Sequence, residues 1–307
     1  MRMHSNGSTA LERDALVQLT RRWGKRVAVK RDELDLDGHF DESKPDFARH
    51  LVPVLALPAA RGLDPEAEHR ILAGAWISYN AKTQAIEEEI ILPACRLMLG
   101  PDFPLPPSES AVAVLHQTII DEHYHILMCH NAAGVTRRRR GLPRLAFPST
   151  QWSVVRALGE CVAAVSGPGR DIVRVAFALA AETTINSFLS TLADSHEIQP
   201  MNRLTVDLHR KDESGHAVVF RVLATRFFGE LSSPERELFL HALTRGLEAF
   251  GAPDHAPWTA VASLGGLTVD EEQLRELRDC CPAPKRDTTP LRKLLADLGV
   301  EPAALGA

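Results

Sequence analysis

The stretch His209-Arg-Lys-Asp-Glu-Ser-Gly-His216, read with Glu122-His-Tyr-His125 upstream, constrains this chain more than any other feature of its sequence. On an α-helix, residues three and four apart share a face, so His209, Glu213 and His216 fall within roughly 60° of one another. One helical face then offers three metal ligands, and Glu122 with His125 repeats its Glu-x-x-His half. Two helices that each carry Glu-x-x-His are the inward-facing half of a carboxylate-bridged two-metal site in a bundle. The pattern therefore asks for long helices packed with those faces together.

Such a site needs one more carboxylate from each of two other helices. Glu182 lies on an apolar face with Ala178, Leu179, Ile185 and Leu189, where a carboxylate is costly unless it is paired or bound to a metal. The other comes from Glu87-Glu88-Glu89. Each step along a helix turns by about 100°, and Glu87 is the member that shares a face with Thr83, Ile90 and Ala94. His116, His123 and His130 point away from the ligand face and read as ordinary surface or hydrogen-bonded histidines.

The rest of the chain agrees with an all-α, ferritin-like helical bundle with extra flanking helices. No long period-2 alternation occurs, and only 6% of residues are aromatic against 45% hydrophobic, which suits a core of Ala, Leu, Val and Ile. Residues 8–25 read as a short amphipathic helix, and Asp64-Pro65 opens the first long one, with an N-cap followed by proline. That helix runs to about Leu99, with a kink or break expected near Leu92 because of Pro93. Further helices are expected from Ser108 to about Gly134, over 152–165, 169–195, from Pro200 to Phe228, and 233–250. Arg137–Arg140 reads as a solvated loop. Shorter candidates fall at Val269–Arg278 and Pro290–Leu298. The expected organisation is a flanking segment at 1–63, a bundle core at 64–250 and a wrapping segment at 251–307.

With 35 basic and 40 acidic residues the net charge is −5, which carries no nucleic-acid footprint. No stretch of about 18 consecutive apolar residues reads as a bilayer span, and the N-terminus lacks the pattern of a secretory signal, so a cytoplasmic location is expected. Cys95, Cys129, Cys161, Cys280 and Cys281 are odd in number and lack C-x-x-C spacing, so they read as reduced, mostly buried thiols. No Gly-x-Gly-x-x-Gly loop offers a flavin or nicotinamide site.

Glu87, Glu122-x-x-His125, Glu182 and His209-x-x-x-Glu213-x-x-His216, together with Tyr79-Asn-x-Lys-Thr83, resemble the non-haem diiron N-oxygenases typified by p-aminobenzoate N-oxygenase. The resemblance covers approximately residues 70–230. It implies two iron ions, with Glu87 and Glu182 as terminal carboxylates, Glu122 and Glu213 bridging, and His125, His209 and His216 supplying nitrogen. It also implies dioxygen as co-substrate, an external reductase as electron donor, a homodimer, and oxidation of an amine to a hydroxylamine, nitroso or nitro product. Mixed nitrogen and oxygen donors make manganese the alternative metal. Tyr79 and Lys82, just upstream of Glu87, are candidate contacts for a free or carrier-bound amine, as expected in natural-product biosynthesis. The competing readings are a diiron hydroxylase or desaturase acting on carbon, and a non-enzymatic iron-binding protein.

Overall fold

A computed structural model describes residues 6–270, 272–274 and 289–300. Cys280 and Cys281, and much of the helix expected over Val269–Arg278, lie outside them. The described residues form an all-α assembly without strands: α1 (Asn6–Arg26), α2 (Pro65–Ile86), α3 (Leu92–Leu99), α4 (Glu109–Arg139), α5 (Ser153–Ala163), α6 (Gly169–Ala193), α7 (Pro200–Glu230), α8 (Ser233–Gly251), α9 (Ala256–Ser263) and α10 (Thr289–Leu298).

Local chemistry starts these helices where the sequence suggests. The Asp64 carboxylate accepts from the Glu66 amide ahead of Pro65, and the Ser108 hydroxyl accepts from the Ala111 amide. Ser232 and Glu235 close a reciprocal capping box at the head of α8. The break expected at Pro93 takes a specific form. Residues Glu87–Ile91 make a π-turn between α2 and α3, in which the Leu92 amide donates to the Glu87 carbonyl five residues back. Pro93 brings no N–H of its own, and the wider turn lets the rod continue through it.

The four-arginine run departs from expectation. Instead of forming a loop after Gly134, α4 continues to Arg139 with Arg140 as its C-cap. Cations at a helix C-terminus interact favourably with the helix dipole, and here they also find acidic partners. The Arg139 Nε donates to Asp37 at 2.9 Å, and the Arg140 guanidinium reaches the buried Asp46 at 2.8 Å and the carbonyls of Glu42 and Lys44. The run is a latch for the segment between α1 and α2, not a solvated connector.

Two apolar clusters fill the interior. One is built around Phe177, Phe220, Phe227 and Phe239 from α6, α7 and α8, and the other around Ile71, Trp76, Leu189, Leu192 and Val261. Burying each such large side chain stabilises the fold by about 1.5–3 kcal/mol. Four rods pass from one cluster to the other. α4 crosses between Ile119 and Ala132, α6 between Ala181 and Ile185, α7 between Val206 and Val218, and Glu87 follows immediately on Ile86 of α2. The carboxylate and imidazole positions singled out in the sequence thus sit at or beside the seam between two apolar masses. By length and composition α6 could cross a membrane, but most of its apolar window is buried as the bundle's central helix.

Candidate metal centre

All seven positions singled out in the sequence are buried, none more than 3% exposed. Two groups of donor atoms lie close enough to share an ion: Glu87, His125, His209 and Glu213 form one, and Glu122, His125, Glu213 and His216 the other. Glu213 belongs to both. Its Oε1 stands 3.0 Å from His209 Nε2, 3.3 Å from His125 Nδ1 and 3.4 Å from His216 Nδ1. Glu122 likewise faces two imidazoles, with Oε2 at 2.8 Å from His125 and Oε1 at 2.8 Å from His216. Both glutamates occupy the middle of the cluster, between the histidines. Glu88 and Glu89 are exposed, so the first helix turns only Glu87 inward, and its Oε1 lies 3.7 Å from His209 Nε2.

Glu182 falls outside those two groups, but it is buried next to them, and burial together with Glu213 and Glu122 raises its carboxyl well above the ordinary range. Neither of its oxygens has a hydrogen-bond partner. The same is true of Glu122 Oε1 and His216 Nδ1, which stand 2.8 Å apart outside hydrogen-bonding alignment. Buried polar atoms are nearly always paired. Four orphaned lone-pair atoms in one place are what donors aimed at a common cation look like without it. Four carboxylates also balance the charge of two divalent ions, and the imidazole-plus-carboxylate set suits first-row metals such as iron or manganese. The residues present fit a two-metal centre.

Without metal the charge divides between the middle and the edge of the cluster. Burial alone would raise Glu122 and Glu213, but the imidazoles of His216 and His125, joined at Glu213 by His209, hold both below the ordinary carboxylate range. Burial would depress His125 and His216, and the neighbouring carboxylates raise them instead. Glu87 is pushed up by burial and by Glu122 and Glu213, while His209 is pushed down by burial and by His125.

Two carboxylates that sequence reasoning passed over complete the arrangement. The outer nitrogen of His125, Nε2, is 3.2 Å from Asp212, and that of His216 is 3.2 Å from Asp121. Each aspartate comes from the helix opposite its histidine, so α4 and α7 brace one another's rings. A carboxylate on the far nitrogen fixes the tautomer and turns the near nitrogen, here Nδ1, toward the metal. The signal was present: the repeat is Asp-Glu-x-x-His in both helices, at 121–125 and 212–216. α1 and the short turn that follows it supply the next layer. Trp23 Nε1 donates to both Asp121 oxygens at 2.9 Å, and the Ala28 amide donates to Asp212 at 3.0 Å. Arg26 lies over Gly215, where any Cβ would meet its guanidinium.

His116, His123 and His130 are exposed. Of the two substrate candidates, Tyr79 packs among Phe47, Trp76 and Phe188, and its buried hydroxyl has no hydrogen-bond partner. Lys82 is already engaged. Its ammonium meets Asp254 at 2.6 Å, and the other Asp254 oxygen accepts from the Ser153 amide, so the pair ties α2 to the segment after α8 and to the start of α5.

Comparison with known proteins agrees with the geometry. Residues 10–299 match the family model described as P-aminobenzoate N-oxygenase AurF. A 4-aminobenzoate N-oxygenase of Streptomyces thioluteus is 30% identical over 293 residues, covering 94% of this chain and 87% of that protein.

Proposed function

From the premise that this chain belongs to the p-aminobenzoate N-oxygenase AurF family, and so is an N-oxygenase acting on a small-molecule amine, we propose that it works through two iron ions held by Glu87, Glu122, His125, Glu182, His209, Glu213 and His216. The observation that carries this reading is the set of unpartnered atoms on Glu182, Glu122 and His216 inside one buried cluster. In it Glu122 and Glu213 would bridge the ions and Glu87 and Glu182 would be terminal, with manganese as the alternative metal. When bound, the metal pair supplies the redox chemistry by which dioxygen, with electrons from an external reductase, oxidises the amine nitrogen to hydroxylamine, nitroso or nitro.

The chain's own residues set the conditions. Asp121 and Asp212 hold the His216 and His125 rings with Nδ1 inward, which keeps those lone pairs available for metal. The apolar clusters on either side keep bulk water from the oxidant. Among the described residues Cys95 and Cys129 are the thiols nearest the cluster, and burial pushes both up, Cys129 to about 12, so they stay protonated and do not compete as ligands. Burial pushes the Tyr79 phenol up as well, leaving a neutral hydroxyl that can donate to a substrate lying against Phe47 and Phe188. Lys82, held by Asp254, serves the same site from a distance by fixing that end of α2.

Residues 64–250 form the catalytic core in this reading, flanked by 1–63 and 251–307. The protein acts as a homodimer, for which Ile120 and Leu127 on one face of α4 are exposed large apolar residues. The test is anaerobic loading with ferrous iron, metal analysis, then oxygen exposure with a panel of free and carrier-bound amines. Two irons per chain and amine-dependent oxygen uptake are expected. Hydroxylated or desaturated carbon products, or many irons per chain, overturn it.

A further inference from the structure

We propose that the Trp23–Asp121–His216 chain is the electron entry route to the metal centre, and that the basic collar around Trp23 docks an acidic one-electron carrier protein. The inference rests on the diiron reading above.

Three side chains make a continuous hydrogen-bonded path. Trp23 is half-buried at the end of α1, and its indole N–H donates to both oxygens of Asp121 at 2.9 Å. Asp121, 1% exposed, lies 3.2 Å from His216 Nε2, and His216 turns its other nitrogen into the metal cluster. The path therefore begins at the surface and ends on a metal ligand. The equivalent arm on the opposite helix has no such beginning: Asp212 is met by the Ala28 amide and by Arg26, neither of which conducts electrons. Tyr124 lies near Asp212, but only the Asp121 arm has an aromatic ring hydrogen-bonded to its carboxylate, and that bonded ring marks this arm for electron transfer rather than for support alone.

The surface around Trp23 has the charge such a function needs. Residues 21–31 contain Arg21, Arg22, Lys25, Arg26, Lys30 and Arg31 and no acidic residue, in a chain whose net charge is −5. Lys30 Nζ sits 4.8 Å from the Trp23 ring centroid. Arg21, Arg22, Lys25, Lys30 and Arg31 are exposed, and none has a carboxylate partner among the described residues. An unneutralised basic collar steers an acidic partner and orients it with its redox group near the ring. A nucleic acid would meet the same charges, but it would have no use for a wire to the metals. Each encounter passes one electron from the reduced carrier to the oxidised metal pair through Trp23, which ends unchanged. Two encounters oxidise two carriers and reduce the centre fully.

The test uses the iron-loaded, oxidised full chain and a reduced plant-type [2Fe–2S] ferredoxin, which is acidic. Binding is measured with the metal-free protein as well, so it is read independently of turnover. The charge reversal R22E/K25E/K30E touches only exposed side chains. It is expected to weaken ferredoxin binding and slow ferredoxin-driven reduction by at least about tenfold, as raising the salt does for wild type. W23F is expected to retain binding and iron content but to slow ferredoxin-driven reduction at least tenfold, with reduction by dithionite within twofold of wild type. Ferredoxin reduction unaffected by the charge reversal overturns the docking face, even if the collar then proves to bind nucleic acid. If W23F slows both reductants alike or loses iron, Trp23 is a packing residue and the route is overturned. Wild type that takes up no iron pair would instead sink the diiron reading.

Discussion

Glu213 and Glu182 are equally buried, each 2% exposed, and live in opposite surroundings. Glu213 lies within 3.4 Å of three imidazoles and is held below the ordinary carboxylate range by them, although burial opposes this. Glu182 has no hydrogen-bond partner for either oxygen and is raised by burial and by its acidic neighbours. One carboxylate is thus satisfied by the protein, and the other finds no partner within it. In the two-metal reading, Glu182 on α6 is the carboxylate that relies most on an ion, while Glu213 is held in place by the imidazoles around it.

That contrast is sharpest in the metal-free protein. Glu213→Ala leaves three buried imidazoles without their shared carboxylate and should destabilise the metal-free protein by about 3–5 kcal/mol in urea denaturation. Glu182→Leu should do the reverse. Replacing a buried unpartnered carboxyl with a hydrocarbon of similar size is expected to stabilise the metal-free protein by about 1–3 kcal/mol, while bound metal falls from two ions to one. A loss of stability in Glu182→Leu would show that Glu182 has a partner in solution and erase the contrast.

Smaller effects follow from the bracing aspartates. Asp121→Asn and Asp212→Asn should each weaken metal binding about 10–100-fold, measured by competition with a chelator, with the helical content unchanged. Unequal losses would mean that α4 and α7 do not brace each other symmetrically. The smallest change is expected for Lys82→Met. Breaking its pair with the buried Asp254, which keeps the Ser153 amide on its other oxygen, should cost about 1–2 kcal/mol in thermal unfolding and leave the KM for amine within twofold. A large rise in KM for carboxylate-bearing amines alone would place Lys82 at the substrate instead.

The sequence made the convergence of four rods legible because ligand spacing at three and four residues translates directly into a shared helical face. The same ground separates three consecutive glutamates: Glu87 is buried, whereas Glu88 and Glu89 are exposed. Local periodicity did not reveal what depends on tertiary partners. The reach of α4 past Gly134 depends on Asp37 and Asp46, which no local pattern near Arg137 discloses. Lys82 looked available to substrate because Asp254 lies 172 residues away in the chain. Asp121 and Asp212 were legible in principle, since Asp-Glu-x-x-His occurs twice. On a single helix, though, each aspartate turns about 100° away from the glutamate that follows it, and its histidine belongs to the other rod.

The wide turn at Glu87–Ile91 lets two demands on one rod be met separately. Downstream, Pro93 and α3 must pack by their own apolar face; upstream, Tyr79 and Lys82 must keep theirs. An ordinary α-turn would lock both halves to a single angular phase. The extra residue acts as a phase offset, so removing one residue after Glu87 should swing the entire upstream half, Tyr79 and Glu87 together, by about 100° relative to α3.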